Sequence, residues 1–181
     1  MSRNVQVVIL CEDRQHEAFA RRVLARTGRY VRVQRVEVNP KGRGSGEQFV
    51  RQRFVKELAY YRARKHRVEQ ALIVLIDADG RDVAARIEQV ESACIEAGGQ
   101  RRQRDERVAI FVPARNIETW LAYLEGQTVN ETDTYPKLKR ERDCKVHADR
   151  LYDMCQRGAL RKPSPPSLEA ACEEFHSWLQ P

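Results

Sequence analysis

The alternation of apolar and polar positions divides the chain into short strands and helices. Val5 to Leu10 is an apolar, β-branched run of central-strand length, closed by Cys11-Glu12-Asp13. From Glu17 to Thr27 the residues Ala18, Phe19, Val23 and Leu24 recur at helical spacing, and Gly28 supplies a stop. Val31 to Val38 interleaves Val with Arg, Gln and Glu, which predicts a strand with one wet face. Pro40 to Gly46 is a basic, glycine-rich loop. Glu47 to Val68 reads as a long helix, apolar at Phe49, Val50, Phe54, Leu58 and Tyr61, with Arg51, Arg53, Lys56, Arg62, Arg64, Lys65 and Arg67 around the rest. Ala71 to Ile76 is apolar at both parities, the pattern of a strand buried on two faces, and ends in Asp77-Ala78-Asp79-Gly80-Arg81-Asp82. A helix over Val83 to Ala97, a short strand over Val108 to Val112 and a helix over Ile117 to Leu124 follow.

Strands alternating with helices predict an α/β fold around a mainly parallel sheet over residues 1–125. Residues 126–181 change character, with helices expected over His147 to Gln156 and Ser167 to Leu179 on either side of Pro163-Ser-Pro-Pro166. At about 55 residues they are short for an independent core. They read as a helical appendage packed on the same domain.

Composition narrows the function classes. The 181 residues include 33 Lys+Arg and 26 Asp+Glu, a net charge of +7. The first 70 residues carry 17 of the cations and 7 of the acids, whereas residues 71–100 carry 2 and 6. An acidic centre beside a basic surface is therefore expected, a distribution that attracts phosphate backbones, although a solvated basic face without a partner has the same composition. Five Cys, an odd number in no tight pair, argue against a fully paired disulfide framework and for a reducing compartment. The N-terminal apolar run is too short for a signal peptide, and no stretch approaches the ~18–20 apolar residues of a membrane helix. A cytoplasmic protein with no membrane partner is expected.

In an open parallel sheet, functional groups gather beyond the carboxyl ends of strands. Glu12 follows the first strand, and Asp77 and Asp79 follow the most buried one. In extended backbone Asp77 and Asp79 point the same way, so both carboxylates can face one pocket. Clustered carboxylates repel one another unless a cation compensates them, and oxygen ligands suit Mg²⁺ or Mn²⁺. A metal-bound water attacking a phosphodiester is the chemistry such a site supports. The same Asp-x-Asp-Gly also serves as an ordinary turn.

Val7-Val8-Ile9-Leu10-Cys11-Glu12 together with Leu75-Ile76-Asp77-Ala78-Asp79-Gly80, over residues 4–125, resembles the Toprim family. The family pattern is a strand ending in Glu-Gly, a helix, and a later strand ending in Asp-x-Asp. Small stand-alone proteins similar to OLD-type nucleases come nearest, through Glu12-Asp13-Arg14-Gln15-His16-Glu17-Ala18-Phe19 and through Asn116-Ile117-Glu118-Thr119-Trp120-Leu121. The resemblance implies a Toprim-like (Rossmann-like) fold and a metal-dependent nuclease acting on DNA or RNA. Glu12, Asp77 and Asp79 would be catalytic, with Asp82 and Glu118 as further metal ligands. It also implies, as a partner, a separately encoded ATPase in a defence or mobile-element system. The alternative is a non-catalytic nucleic-acid-binding or protein-interaction module on the same fold.

Two positions depart from the family pattern. Asp13 replaces the usual Gly, and His16 stands where an acid is common, as a metal or phosphate contact or a neutral helix-start residue. Glu118 is either a helix-start stabiliser, capped by Asn116, or an acidic ligand. Trp120 is expected in the core.

Lys41, Arg43, Arg51, Arg53, Lys56, Arg62 and Arg115 are the candidate phosphate contacts, without the motif that base readout needs. The loop from Lys41 to Gly46 lacks P-loop order, so no ATP site is expected. Lys137, Lys139, Arg140, Arg142 and Lys145 read as a wet helix face. Cys144, His147 and Cys155 lack zinc-site spacing. Cys11 reads as strand-end packing. Tyr60, Tyr61, Tyr123 and Tyr135 are candidates for a homodimer face.

Overall fold

The computed structural model describes residues 4–28 and 31–179, the last of these by its backbone alone. The elements are β1 (Val5–Cys11), α1 (Arg14–Arg26), β2 (Val31–Val38), α2 (Gly46–Arg64), β3 (Gln70–Leu75), α3 (Val83–Glu96), β4 (Val108–Phe111), α4 (Ile117–Glu125), a 3-10 helix (Glu141–Cys144), α5 (Lys145–Arg157) and α6 (Pro166–Leu179). Most lie within a few residues of their expected positions. The first helix starts earlier than expected, because Asp13 caps it by accepting from His16 N at 2.9 Å. Asp13 itself has φ −148°, extended backbone that places no demand for glycine there.

The strands form one parallel sheet in the order β2-β1-β3-β4. Parity sorts its side chains into two apolar layers. Val7, Ile9, Ala71, Ile73 and Leu75 pack with α1, α4, α5 and α6. Leu10, Leu72, Val74 and Ile76 pack on the other face with Val50, Phe54 and Leu58 of α2 and Val90 of α3. Covering both faces is what allows β3 to be apolar throughout.

On β2 the alternation is broken once. Val7 is paired with Val33 but Val8 with Arg35, so Gln34 is an extra residue. The bulge inverts the parity of everything after it. Val31, Val33, Val36 and Val38 therefore all line the α1 face. Arg35 and Glu37 are delivered to the α2 side, where Arg35 makes a two-pronged hydrogen bond to Glu57 at 2.9 and 2.5 Å and Arg53 forms ion pairs with Glu57 and Glu37 at 2.9 and 3.0 Å. Glu57 is buried, and this cation pair is what makes its charge tolerable.

The C-terminal helices complete the α1 layer. Ala148, Leu151, Leu168, Cys172, Phe175 and Trp178 share one apolar cluster with the sheet and α4. As expected, Trp120 is in the core; it also donates to Ser167 Oγ at 2.9 Å. Two expectations need correction and one is qualified. As expected, the cysteines form no fully paired framework, since Cys11, Cys94 and Cys144 are free and buried, but Cys155 and Cys172, 17 residues apart, form a disulfide between α5 and α6. A reducing compartment would hold that pair as thiols in the same core position. Tyr61 and Tyr123 are core residues, and Tyr135 is half-buried, which leaves Tyr60 as the one tyrosine of the proposed dimer set that stands exposed. Lys137 to Arg140 precede the 3-10 helix as irregular chain, so the second basic run is a helix face only from residue 141 on. Among the described residues, no helix is long and apolar enough to cross a membrane.

Leu168→Ala removes a fully buried side chain from the shared cluster. It is expected to destabilise the protein by about 3 kcal/mol. Urea unfolding followed by tryptophan fluorescence and by circular dichroism should show one transition at lower midpoint. Two separated transitions would mean that the C-terminal helices unfold as a unit of their own.

Candidate functional site

The order β2-β1-β3-β4 reverses direction between β1 and β3, the point at which doubly wound sheets open a crevice for ligands. Cys11 is paired with Leu75, so the residues just past the two strands emerge side by side. Glu12 Oε1 accepts a hydrogen bond from Asp77 N at 2.8 Å. Behind Glu12 lies the start of α2. A Cβ on Gly46 would stand 3.0 Å from both Cβ and Oε2 of Glu12, so any larger residue there would press on the Glu12 side chain. From α1, His16 Nε2 reaches Asp77 Oδ1 at 3.0 Å, and His16 is completely buried.

These groups shift one another strongly. Burial, reinforced by the charge of Asp77, pushes the Glu12 carboxyl up to about 7. For His16 burial disfavours the imidazolium, but the charge of Asp77 and the bond to it outweigh that and raise its pKa to about 9. Glu118 is raised by burial and by the charge of Asp77, and Asp79, though exposed, is raised by partial desolvation and the same charge. The crevice thus holds more negative charge than its one buried imidazolium neutralises. Burial also raises the Cys11 thiol far above its ordinary value, which fits packing and not nucleophilic attack.

The other expected ligands are placed differently. The sequence premise of extended backbone fails at Asp79, which has φ +54° and is followed by Gly80 at +78°. With Arg81 N bonded to Ala78 O at 3.0 Å, Asp79-Gly80 forms the centre of a turn with positive φ at both central positions, which Asp-Gly favours. The turn is stitched to the segment after β4 by bonds from Ala78, Asp79 and Gly80 N to Pro113, Arg115 and Ala114 O. Asp79 is therefore 63% exposed and lies 3.5 Å from Arg86 instead of facing Asp77's partners. Asp82 caps α3 by accepting from Ala85 N at 2.9 Å. Glu118, in the first turn of α4, is 5% exposed and makes no side-chain ion pair among the described residues. Asn116 occupies the cap position without a side-chain cap bond.

Among the expected phosphate contacts, Arg51 pairs with Glu47 at 2.5 Å, Arg53 with Glu57 and Glu37, and Arg62 with Glu106 at 2.7 Å. Arg115 donates to Thr132 O at 3.1 Å. Lys41, Arg43 and Lys56 are exposed. Sequence reasoning missed Arg86, which is 3% exposed and joins Glu47 at 2.7 Å to Asp79. Its place one turn after the Asp82 cap is the only signal that could have flagged it.

Compared with known proteins, the chain matches no family model, no curated protein and no solved structure. Among the described residues, no three His, Cys, Asp or Glu side chains converge as a metal-holding group. Glu12 meets Asp77 at its backbone amide and the two charges interact, and Mg²⁺ is commonly held by one or two carboxylates together with water and substrate phosphates. That smaller set fits the ion's chemistry; the five-residue set does not.

The two large shifts set a pH dependence. Between the ordinary carboxyl value of 4.5 and about 7, folded Glu12 retains a proton that the unfolded chain releases, so stability falls as pH rises through that window. His16 works in the next window: its contribution is complete below 6.5 and is lost as pH rises through about 9. Glu12→Gln should flatten the first decline, worth on the order of 3 kcal/mol, in urea midpoints measured against pH, and move the second to lower pH, because the Glu12 charge is one of those that raise His16. An unchanged profile in that variant would place the proton elsewhere.

Proposed function

We propose that this protein is a divalent-cation-dependent phosphodiesterase acting on nucleic acid, with Glu12 and Asp77 as the residues that hold Mg²⁺ or Mn²⁺. The observation that carries the reading is the bond from Asp77 N to the Glu12 carboxylate at the sheet's switch point, which brings two acidic residues together with one buried imidazole between α1 and Asp77. Uncompensated carboxylates in a crevice attract a cation and, through it, phosphate oxygens. When bound, the ion would supply a water of lowered pKa and neutralise charge developing on the phosphate.

The chain's own residues have distinct tasks in this reading. Glu12 is anchored by Asp77 N and by the start of α2, so its carboxylate position is fixed before substrate arrives. His16 donates to Asp77 Oδ1 and orients that carboxylate. Arg86 restrains Asp79 at the rim, where the exposed carboxylate can approach a substrate or a second cation. The Toprim-like reading of the chain rests on the same strand-end Glu and Asp, and the separately encoded ATPase rests on that resemblance alone. A second reading, a module that binds without cleaving, is favoured by one observation. His16 already supplies Asp77 with a buried positive partner, as a metal would.

Glu12→Gln keeps an acceptor for Asp77 N and removes the charge. We expect Mn²⁺-dependent cleavage of DNA or RNA to fall on the order of a thousandfold in this variant and in Asp77→Asn. Mn²⁺ binding by calorimetry should be lost in parallel, with circular dichroism unchanged for Glu12→Gln. Wild-type protein that binds Mn²⁺ in neither the presence nor the absence of an oligonucleotide would leave the non-cleaving module.

A further inference from the structure

We propose that single-stranded nucleic acid reaches the acidic crevice through a groove between α1 and residues 137–145, held by Lys41, Lys137 and Arg142 and not by the arginines of α2. This rests on the phosphodiesterase reading above and adds the path of its substrate.

On α2, where the sequence concentrates its cations, three arginines are held by acids, while Lys56 and Arg64 are exposed without an ion pair among the described residues but stand ten and eighteen residues along the helix from Gly46 at the crevice. Arg51, Arg53 and Arg62 are engaged by Glu47, Glu57 and Glu106, and Arg62 is further fixed by the carbonyls of Gln100 and Arg101 at 2.9 and 2.6 Å. An arginine holding a buried carboxylate cannot turn to a phosphate without leaving that charge unpaired. Glu57 and Glu106 are both buried.

The opposite side of the sheet differs. A cleft of about 430 Å³ opens beside the crevice, with Glu118 in its wall and Lys41 and Lys137 across it. Asp13, the residue after Glu12, lines this cleft together with Glu118, so the cleft adjoins the acidic cluster. An open groove of about 490 Å³ continues between Arg21 of α1 and Arg140 and Arg142 of the 3-10 segment. Arg14 and Glu141 line both, which makes the path continuous. Lys41, Lys137 and Arg142 are exposed and make no ion pair among the described residues. They are the cations free to meet phosphates as the chain passes from the groove to the carboxylates.

The lining also selects the occupant. Neither cleft has an aromatic side chain, so there is no platform for stacking bases. Cations that track a backbone bind without regard to sequence. The acids are recessed, with Glu118 5% exposed, and a flexible single strand can bend down to them where the phosphates of a rigid duplex stay on its cylinder.

The test uses full-length protein, chelator to prevent turnover, and short fluorescent oligonucleotides read by anisotropy over a range of salt. Lys41→Gln/Lys137→Gln/Arg142→Gln should lower single-strand affinity by about a hundredfold at about 0.1 M salt and reduce the salt slope by about 2, the value of three phosphate contacts. Lys56→Gln/Arg64→Gln/Arg67→Gln, an equal charge loss on α2 and the turn after it, should change neither by more than about threefold. Equal losses in both variants, an unchanged slope in the first, tighter binding of duplex than of single strand, or no binding by wild type would each overturn the proposal. Because metal is absent, groove-dependent binding without Mn²⁺-dependent cleavage would sink the enzymatic reading alone. Cleavage by a protein whose groove variant binds normally would sink the groove alone.

Discussion

The parallel pairing of β1 with β3 is the constraint on which the site depends. Both strands are apolar at either parity because helices cover both faces, and their register is carried by how the side chains of each parity pack into the two different helix layers. With Cys11 opposite Leu75, the next carboxylate on one strand falls against the backbone amide of the other. In this register Glu12 lies against the start of α2 while Asp77 turns to His16 on α1, and a slip of one residue would break the bond from Asp77 N to Glu12. The supporting groups depend on the same register: Gly46 admits the start of α2 to Glu12, and His16 comes within bonding distance of Asp77 only where α1 leaves β1.

Charge in this protein serves two ends that sequence counting merges. Much of the positive surplus of the first 70 residues lies on β2 and α2, and much of that is absorbed by Glu37, Glu47, Glu57 and Glu106. These pairs hold neighbouring elements together: Arg35 and Arg53 join β2 to α2, and Arg62 joins α2 to the loop before β4. What remains available to a partner is a smaller set of exposed lysines and arginines, Lys56 and Arg64 on α2 among them. The field a ligand meets is thus set by which cations lack partners, and only the folded chain determines that.

The elements most legible in the sequence were those whose period was unbroken. Val5 to Leu10 and Ala71 to Ile76 announced central strands, and Glu12 and Asp77 could be placed at their ends from chain direction alone. Reasoning failed where a local device overrode the period. The extended geometry assumed through Asp79 gives way to an Asp-Gly turn with positive φ, and Asp82 is used as a cap. Gln34 inverts the parity of β2, although the spacing of Val31, Val33, Val36 and Val38 carries that break in plain sight. The Cys155–Cys172 pair lay beyond reach, because a separation of 17 residues becomes contact only when α5 and α6 pack. Arg86 was hidden for the same reason, its two acidic partners coming from different helices and loops.

The sign of each carboxylate's shift separates scaffold from site. Glu17 and Glu106 are lowered, because the arginines bonded to them outweigh the burial that opposes ionisation; Glu88 and Glu169 are lowered by partners at the surface. Glu12, Asp79 and Glu118 are raised, and all three are raised by desolvation and by Asp77. A carboxylate kept for folding alone gains from being matched with a cation, and at Glu12 a neutral glutamine would accept from Asp77 N as well without the electrostatic cost. Placing this unmatched charge at the switch point lowers stability toward neutral pH. That cost is understandable where a cation from outside the chain completes the balance.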